Sequence, residues 1–433
     1  MIKQLFVTLT CTFILYFANG QDSSGKYTLH FQLTTVTQNH QTIKAPYSGS
    51  KSLQEKEKPS TSLTATLFAG VKLFKNTELF VNPEMAGGEG MSGATGIAGF
   101  PNGETFRVGS TKPVIYLARA YLRHIVPLTK EKQWTDDDAN TIAEMMPKKY
   151  LSFSAGKLSL GDFFDDNTYS HDPRDRFLNW SLMSAGAYDY AADVRGYTYS
   201  FVGEYISPDW EARIATALLP KEANGAVLDW HYSKSFSWQA EVVRKWNVEK
   251  DNTTILRLIG FFNRSQMGNY KLALNYSTPD VIATRMYSRN KSGFVINAEK
   301  QLGKNSGAFA RLSWNDGKNE TWCFTEIDQS ASLGYVLKGT NWHRANDEIG
   351  IAVIANGISK DHQNFLAAGG NGFIVGDGKL NYAQEFIAEL YYKLFAFKGK
   401  IVVSPDYQFV LNPAYNKDRG PVHVIGLRFH TEW

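Results

Sequence analysis

The feature that most restricts this chain is a period-two alternation, repeated in runs of roughly ten residues whose apolar faces tend to begin or end in tyrosine or tryptophan. From Tyr270, the side chains of Tyr270, Leu272, Leu274 and Tyr276 point one way, while Lys271, Ala273 and Asn275 point the other. From Ala308, the residues Ala308, Ala310, Leu312 and Trp314 oppose Arg311, Ser313 and Asn315. From Thr325, the residues Thr325, Ile327, Gln329, Ala331, Leu333 and Tyr335 alternate with Glu326, Asp328, Ser330, Ser332 and Gly334, so one face is polar throughout. A soluble sandwich alternates too, with the apolar faces of its two sheets sharing a core. Aromatic strand ends and this spacing match the interfacial girdles and tilted strands of a membrane barrel instead.

No later stretch is apolar and continuous enough for a transmembrane helix. If the mature chain resides in a membrane, it does so as a barrel, because only helices and closed sheets satisfy their backbone there. The predicted fold is therefore an all-β, transmembrane antiparallel β-barrel. Direct counting gives 18 strands, 225–233 and 269–277 among them. With the first strand running outward, the long connections 39–60, 87–111, 161–193, 278–290, 358–382 and 412–420 fall outside. Most of the others are tight, as at Lys75-Asn76, Pro208, Lys234, Gly303 to Asn305 and Phe397-Lys398. The exception is 127–148, where Thr135 and the run Asp136 to Asp138 suggest the capped start of a short amphipathic helix through Ile142, Met145 and Met146, limited by Pro147, which lies on the periplasmic side or equally covers the bore. The last run alternates Ile425, Leu427, Phe429, Thr431 and Trp433 against Gly426, Arg428, His430 and Glu432, and its aromatic end suits pairing with the first strand.

Residues 1–20 read as a secretory signal peptide, with Lys3, an apolar run from Leu5 to Phe17, and Ala18-Asn19-Gly20 before the cut. Cys11 lies within it. Cys323 is then the one cysteine of residues 21–433, which form a single barrel domain without an internal disulfide. A formal net charge of +4 gives no reason to look for nucleic acid. Export and a barrel together place the protein in a Gram-negative outer membrane.

Parity assigns the lumen-facing groups. Glu84 falls on the polar side of its strand, and Arg119 and Arg123 lie opposite Ala118, Ala120 and Leu122. An arginine facing hydrocarbon costs about 2–4 kcal/mol at mid-membrane, so these two belong inside, where they are expected to face acidic partners across the bore. Glu204, Glu385 and Glu389 follow by the same argument. A bore carrying both signs suits neutral hydroxylated solutes, which can exchange water for hydrogen bonds and lay ring faces on aromatic side chains. The plainer reading of each charge is a salt-bridged wall. The stretch from Ser154 to Trp180 concentrates the same chemistry, with Asp162, Asp165, Asp166, Asp172 and Asp175 beside Arg174 and Arg176, and with Phe163, Phe164, Tyr169, Phe177 and Trp180 interleaved. A connection of this length is unusual unless functional, and it is expected to fold into the bore.

Three blocks, GKLSLGDFFDDNTYSHDPRDRFLNWS from Gly156, FLAAGGNGFIVGDGKLNYAQEFIAELYYKL from Phe365 and YQFVLNPAYNKDRGPVHVIGLRFHTEW from Tyr407, resemble the OprB-type carbohydrate-selective porins, as does VNPEMAGGEGMSGATGIAGFPNGE from Val81. The resemblance implies a 16-stranded outer-membrane barrel with a sugar-selective constriction made by infolded loops and charged wall residues. It carries a constriction role to Asp165, Asp166, Asn167, Asp172, Arg174, Arg176 and Asn179 of the loop motif. Glu84, Glu104, Arg119 and Glu389 sit in matching segments. The expected partners are mono- or oligosaccharides, with outer-membrane lipid and lipopolysaccharide around the barrel; a lipid-facing apolar strip and a subunit interface look alike, which leaves monomer and homotrimer both open.

Other classes fit less well. Asp165/Asp166 or Glu385/Glu389 could serve a hydrolase as paired carboxylates, and His171 beside Asp172 could suggest acid–base chemistry. The chain carries no G-x-S-x-G elbow, H-E-x-x-H helix, P-loop or cysteine pair for zinc. A general-diffusion pore and a closed adhesin-like barrel remain as alternatives. No cofactor is expected, although Asp162, Asp165, Asp166 and Asn167 could gather oxygen ligands around a structural calcium ion, without the order of an EF-hand loop.

Overall fold

The computed structural model describes residues 25–105, 111–248, 251–396 and 400–433. The expected signal peptide and the tight turn expected at Phe397-Lys398 lie outside them. Strands run β1 Tyr27–His40, β2 Ser60–Phe74, β3 Thr77–Gly88, β4 Val114–Pro127, β5 Lys132–Thr135, β6 Glu144–Pro147, β7 Tyr150–Leu158, β8 Thr198–Ile206 and β9 Trp210–Ala217. They continue as β10 Phe236–Trp246, β11 Thr254–Ser265, β12 Arg289–Gln301, β13 Ser306–Asn315, β14 Gln329–Gly339, β15 Arg344–Gly357, β16 Glu385–Ala396, β17 Ile401–Leu411 and β18 Val422–Glu432.

Sixteen of these close into one antiparallel barrel, and β5 and β6 form a separate two-stranded hairpin between β4 and β7. Closure is made by β1 and β18, in register from Gln32 opposite Glu432 to His40 opposite Val424. Phe31 and Trp433 extend the seam by exchanging backbone hydrogen bonds of 2.8 and 2.9 Å, and their rings stack at 5.7 Å. The terminal aromatic residue therefore pairs with the first strand, as its sequence position predicts.

Alternation sorts each wall into two surfaces. On β13, Ala310, Leu312 and Trp314 are exposed outward, whereas Phe309, Arg311 and Ser313 are buried inward. The outward face of the barrel carries Leu258, Leu333 and Val353, and its exposed aromatic residues include Trp210, Trp238, Trp246 and Tyr335. That is an apolar band with aromatic ends.

The two surplus runs are not barrel strands. Residues 225–233 belong to the outer connection 218–235, where the one isolated bridge joins Pro220 to Leu228, and Asp229 draws the backbone into a turn by accepting from the His231 N–H. In 269–277, a one-turn helix α1 forms at Tyr270–Ala273, its first turn capped by the Asn269 side chain, while Tyr270 stacks on His362 at 4.1 Å. The cap and this tertiary contact override an alternation too short to specify a strand. Removing both runs reverses the expected direction of 235–247 and 254–264, so the gap between them lies on the inner side. Thr325 to Asp328 also leave the sheet, because Glu326 and Asp328 accept N–H groups of the outer loop at Ile374, Val375 and Ser359.

The helix expected in 127–148 is instead the β5–β6 hairpin, with Trp134 opposite Met145. Asp138 and Thr141 exchange backbone bonds of 2.9 and 3.1 Å, and Asn140 holds φ +57°. The acidic run is thus a turn rather than a helix start, a role for which Asp and Asn are equally suited.

Leu333, 58% exposed near the middle of β14, tests the lipid face. Leu333→Arg is expected to destabilise the folded barrel by about 2–4 kcal/mol in lipid vesicles, read from its urea transition, with Ser332→Ala on the lumen side near neutral.

Candidate functional site

The connection between β7 and β8, residues 159–197, folds into the lumen and is fastened to the wall almost all the way round. Asp165 accepts from Arg311 Nε at 2.9 Å, from Asn297 Nδ2 at 2.7 Å and from the Ala185 N–H at 2.7 Å. Asn167 donates to Asn297 Oδ1 at 2.7 Å, and Asp166 meets Arg257 at 3.3 Å. Glu299 accepts from the Thr168 N–H and hydroxyl. The Tyr169 ring lies directly on Gly307, where any Cβ would collide with it. Beyond, Arg428 donates to the carbonyls of Pro173, Asp175 and Arg176, Lys393 pairs with Asp175, and Arg176 lies between Asp175 and Glu348. Glu389 then receives the N–H groups of Leu178 and Asn179 at 2.6 and 3.0 Å. Asn179 caps helix α2, Trp180–Met183, and its amide reaches the Gly99 carbonyl and Gln408.

Outside, the vestibule is stitched across loops by Asp377, which accepts from Ser52 and Asn416 beside Arg419. Burial pushes the Asp377 carboxyl above its ordinary range, against these hydrogen bonds and the Arg419 charge.

A cavity of about 480 Å³ runs along the loop. Its lining includes Asn224, Phe324 and Ile374 of the outer connections and Ala139, Asn140 and Thr141 of the inner hairpin. It therefore extends from the outer loops to the periplasmic turn. Toward the outer end, Trp180 stacks on Phe100 at 5.0 Å and lies 4.9 Å from Phe324, which is 4.8 Å from Tyr190. Below these rings the lining turns polar. Arg119 holds Asp162 through Nε and Nη2, both at 2.7 Å. Arg174 bridges Glu104 at 2.9 Å and Glu84 at 3.1 Å and donates to Gln32 and Thr66. Tyr197 donates to Glu84 and lies under the Arg119 guanidinium at 5.1 Å. Arg195 lies over Tyr116 at 4.1 Å and, among the described residues, makes no ion pair.

A bulge aims these groups. Asn82 pairs with Arg119 but Pro83 with Leu117, which leaves Ala118 unpaired and buried. Tyr116 and Arg119 can thereby both face the lumen while Leu117 faces lipid, a local change of parity that only an extra residue permits. Pro83 stands where β3 offers no N–H.

The residues singled out by sequence divide in two. Glu104, Arg119, Arg123, Asp172 and Arg174 line the cavity. Glu84 lies behind them as the partner of Arg174, and Asp165, Asp166, Asn167, Arg176, Asn179 and Glu389 fasten the loop. Arg123 pairs with Glu78, its neighbour on the adjacent strand, rather than with an acid across the bore. Among the described residues no three His, Cys, Asp or Glu side chains gather to hold a metal ion. Phe100 lies in the block from Val81 but no property of that block singles it out, while Tyr190, Arg195, Tyr197 and Phe324 carry no local motif, and alternation gives no help in the loops that hold most of them.

A closed barrel with an apolar girdle and a lumen narrowed by an infolded loop defines an outer-membrane porin. The family model of the carbohydrate-selective porins, OprB family, matches residues 25–433, and the chain belongs to that family. It is a passive, substrate-selective channel of the Gram-negative outer membrane, and not an enzyme. Among solved structures, OprB of Pseudomonas putida at high pH is similar at 15% identity, covering 94% of each chain with a TM-score of 0.68. The channel DcaP of Acinetobacter baumannii shares 10% identity over 94% of this chain and 97% of its own, with a TM-score of 0.53. At these identities the likeness concerns the fold. No curated protein matches the chain.

Arg174→Met leaves Glu84 and Glu104 buried without their cation, and breaking such a pair costs about 3–5 kcal/mol. The variant is expected to show a lower urea midpoint and noisier single-channel currents than the parent in planar bilayers. A quiet channel of unchanged stability would mean that the loop does not depend on this bridge.

Proposed function

We propose that sugars cross by the cavity beside loop 159–197, first along the Phe100, Trp180, Tyr190 and Phe324 rings and then past Arg119, Asp162, Arg174 and Glu104. The observation that carries this reading is the juxtaposition of an aromatic wall with fixed, oppositely charged hydrogen-bonding groups in one cavity reaching both ends of the barrel. A pyranose has two apolar faces and a polar rim. The rings remove its C–H faces from water, and the guanidinium and carboxylate groups replace the water lost from its hydroxyls. Because most of these charges are already paired, the field they present to a small ion is largely cancelled. A neutral polyol interacts with the local dipoles and is favoured over an ion of its size.

Asp165, Asp166, Asn167, Arg176, Asn179 and Glu389 act in this reading by positioning. They hold the loop in one place, so the width of the passage is fixed before any sugar arrives. Binding must remain weak enough to release, and partial stacking with a few hydrogen bonds meets that condition. The mature chain, cut after residue 20, is surrounded by outer-membrane lipid and lipopolysaccharide against the exposed aromatic ends of its strands.

Trp180→Ala is expected to raise the half-saturating concentration for glucose uptake into proteoliposomes roughly tenfold while leaving the barrel folded. Arg119→Ala should weaken discrimination between sugars and ions of similar size. Sugar uptake and discrimination matching the parent in both variants would place the path elsewhere, or reduce the channel to a general-diffusion pore.

A further inference from the structure

The β5–β6 hairpin is much longer than the other inner turns, and it does not hang free in the periplasm. Ile142 is buried at 1% exposure. Glu144 pairs with Lys72 at 2.9 Å, and Asp137 meets His30 Nε2 at 2.9 Å, which ties the tip to the inner ends of β2 and β1. The turn itself is braced by the backbone exchange between Asp138 and Thr141 and by the Asp138 side chain accepting from the Ala139 N–H at 2.7 Å. Ala139, Asn140 and Thr141 thereby line the same cavity as Arg119 and Arg174. A further space of about 180 Å³, lined by His30, Gln32, Phe68, Asp138, Ala139 and Glu432, adjoins it at Gln32, Phe68 and Ala139.

Three polar atoms of residues that line the cavity have no hydrogen-bond partner among the described residues, Thr105 Oγ1 being one. A second is Arg119 Nη1, the donor left over when Nε and Nη2 engage Asp162. The third, and the one on the hairpin tip, is Asn140 Oδ1. A buried acceptor without a partner is costly, and a turn of the Asn140 amide toward the adjoining cavity lets a permeating solute or water supply the missing donor. Asn140 is also the residue whose left-handed backbone makes the turn, so the fold of the tip sets where its Cα stands beside the cavity.

We infer that the hairpin is a second, exit-side selectivity element of this channel, with Asn140 accepting a hydrogen bond from a sugar hydroxyl as the solute leaves the waist. The inference rests on the cavity being the sugar path. Sugars are then checked twice, once at the aromatic and charged waist and again at the periplasmic mouth. The hairpin limits the size of what passes, and Asn140 favours solutes that can donate a hydrogen bond.

The test uses the purified full chain in proteoliposomes and planar bilayers, with glucose, sucrose and raffinose as probes. Asn140→Gly keeps a residue that tolerates positive φ and removes the acceptor. It should raise the half-saturating glucose concentration about fivefold, with potassium chloride conductance near that of the parent. A variant in which 129–148 is replaced by a tight turn should conduct more and admit raffinose faster relative to glucose. Asn140→Gly remains informative if the shortened chain fails to fold. Sugar kinetics in Asn140→Gly equal to those of the parent, while Trp180→Ala alters them, would overturn the role of the hairpin and leave the path intact. Kinetics unchanged in Trp180→Ala as well would overturn both the path and this inference.

Discussion

Hydrocarbon offers no hydrogen-bond partner to a peptide group, and the rest of this molecule depends on that fact. Every strand must find a neighbour on both sides, so the sheet can end only by meeting itself. The pairing of β1 with β18, continued to Phe31 and Trp433, is where this happens. Closure separates two environments along each strand. Residues of one parity meet lipid and become predominantly apolar, while residues of the other parity meet a confined polar interior. Charge can accumulate on the inner face without cost to membrane insertion, provided that it is satisfied there.

Most of that charge is spent on holding a loop. The wall residues Arg257, Glu299, Arg311, Glu389, Lys393 and Arg428 all contact residues 165–179. A buried ion pair contributes little net stability compared with a well-packed apolar contact, but removing one partner is severe. The arrangement is therefore better understood as fixing geometry than as adding stability. A passage bounded by many mutually dependent contacts keeps its width, and selectivity by fit requires a constant width. The groups left facing the cavity are few, and they are displayed on this rigid frame. The bulge at Ala118 shows the same economy, since one extra residue brings Tyr116 and Arg119 to the lumen without exposing Leu117 to it.

Much of the fold was legible because lipid imposes parity over long strands. Ala310, Leu312 and Trp314 could be assigned outward, and Glu84, Arg119 and Arg123 inward, from spacing alone. The reading failed where that pressure is absent. Tyr270 to Tyr276 alternates by chance in a loop over the lumen, where the Asn269 cap and the His362 ring decide the conformation. Asp136 to Asp138 fits a helix start or a turn equally well, and Asn140 settles it as a turn. Of the site, the charged half was visible and the aromatic half was not. Trp180 stood in a conspicuous segment, but Phe100 and Phe324 come from separate loops and meet it only in the folded barrel.

The central claim is that sugar and ions share one narrow path in which sugar is transiently bound. Ion current through the wild-type channel, recorded in a planar bilayer as glucose is added, tests this most directly. On this account the current falls along a saturating curve, with added noise as single molecules bind and leave. A current that follows only the lowered conductivity of the bulk solution, with no saturation and no added noise, would contradict it.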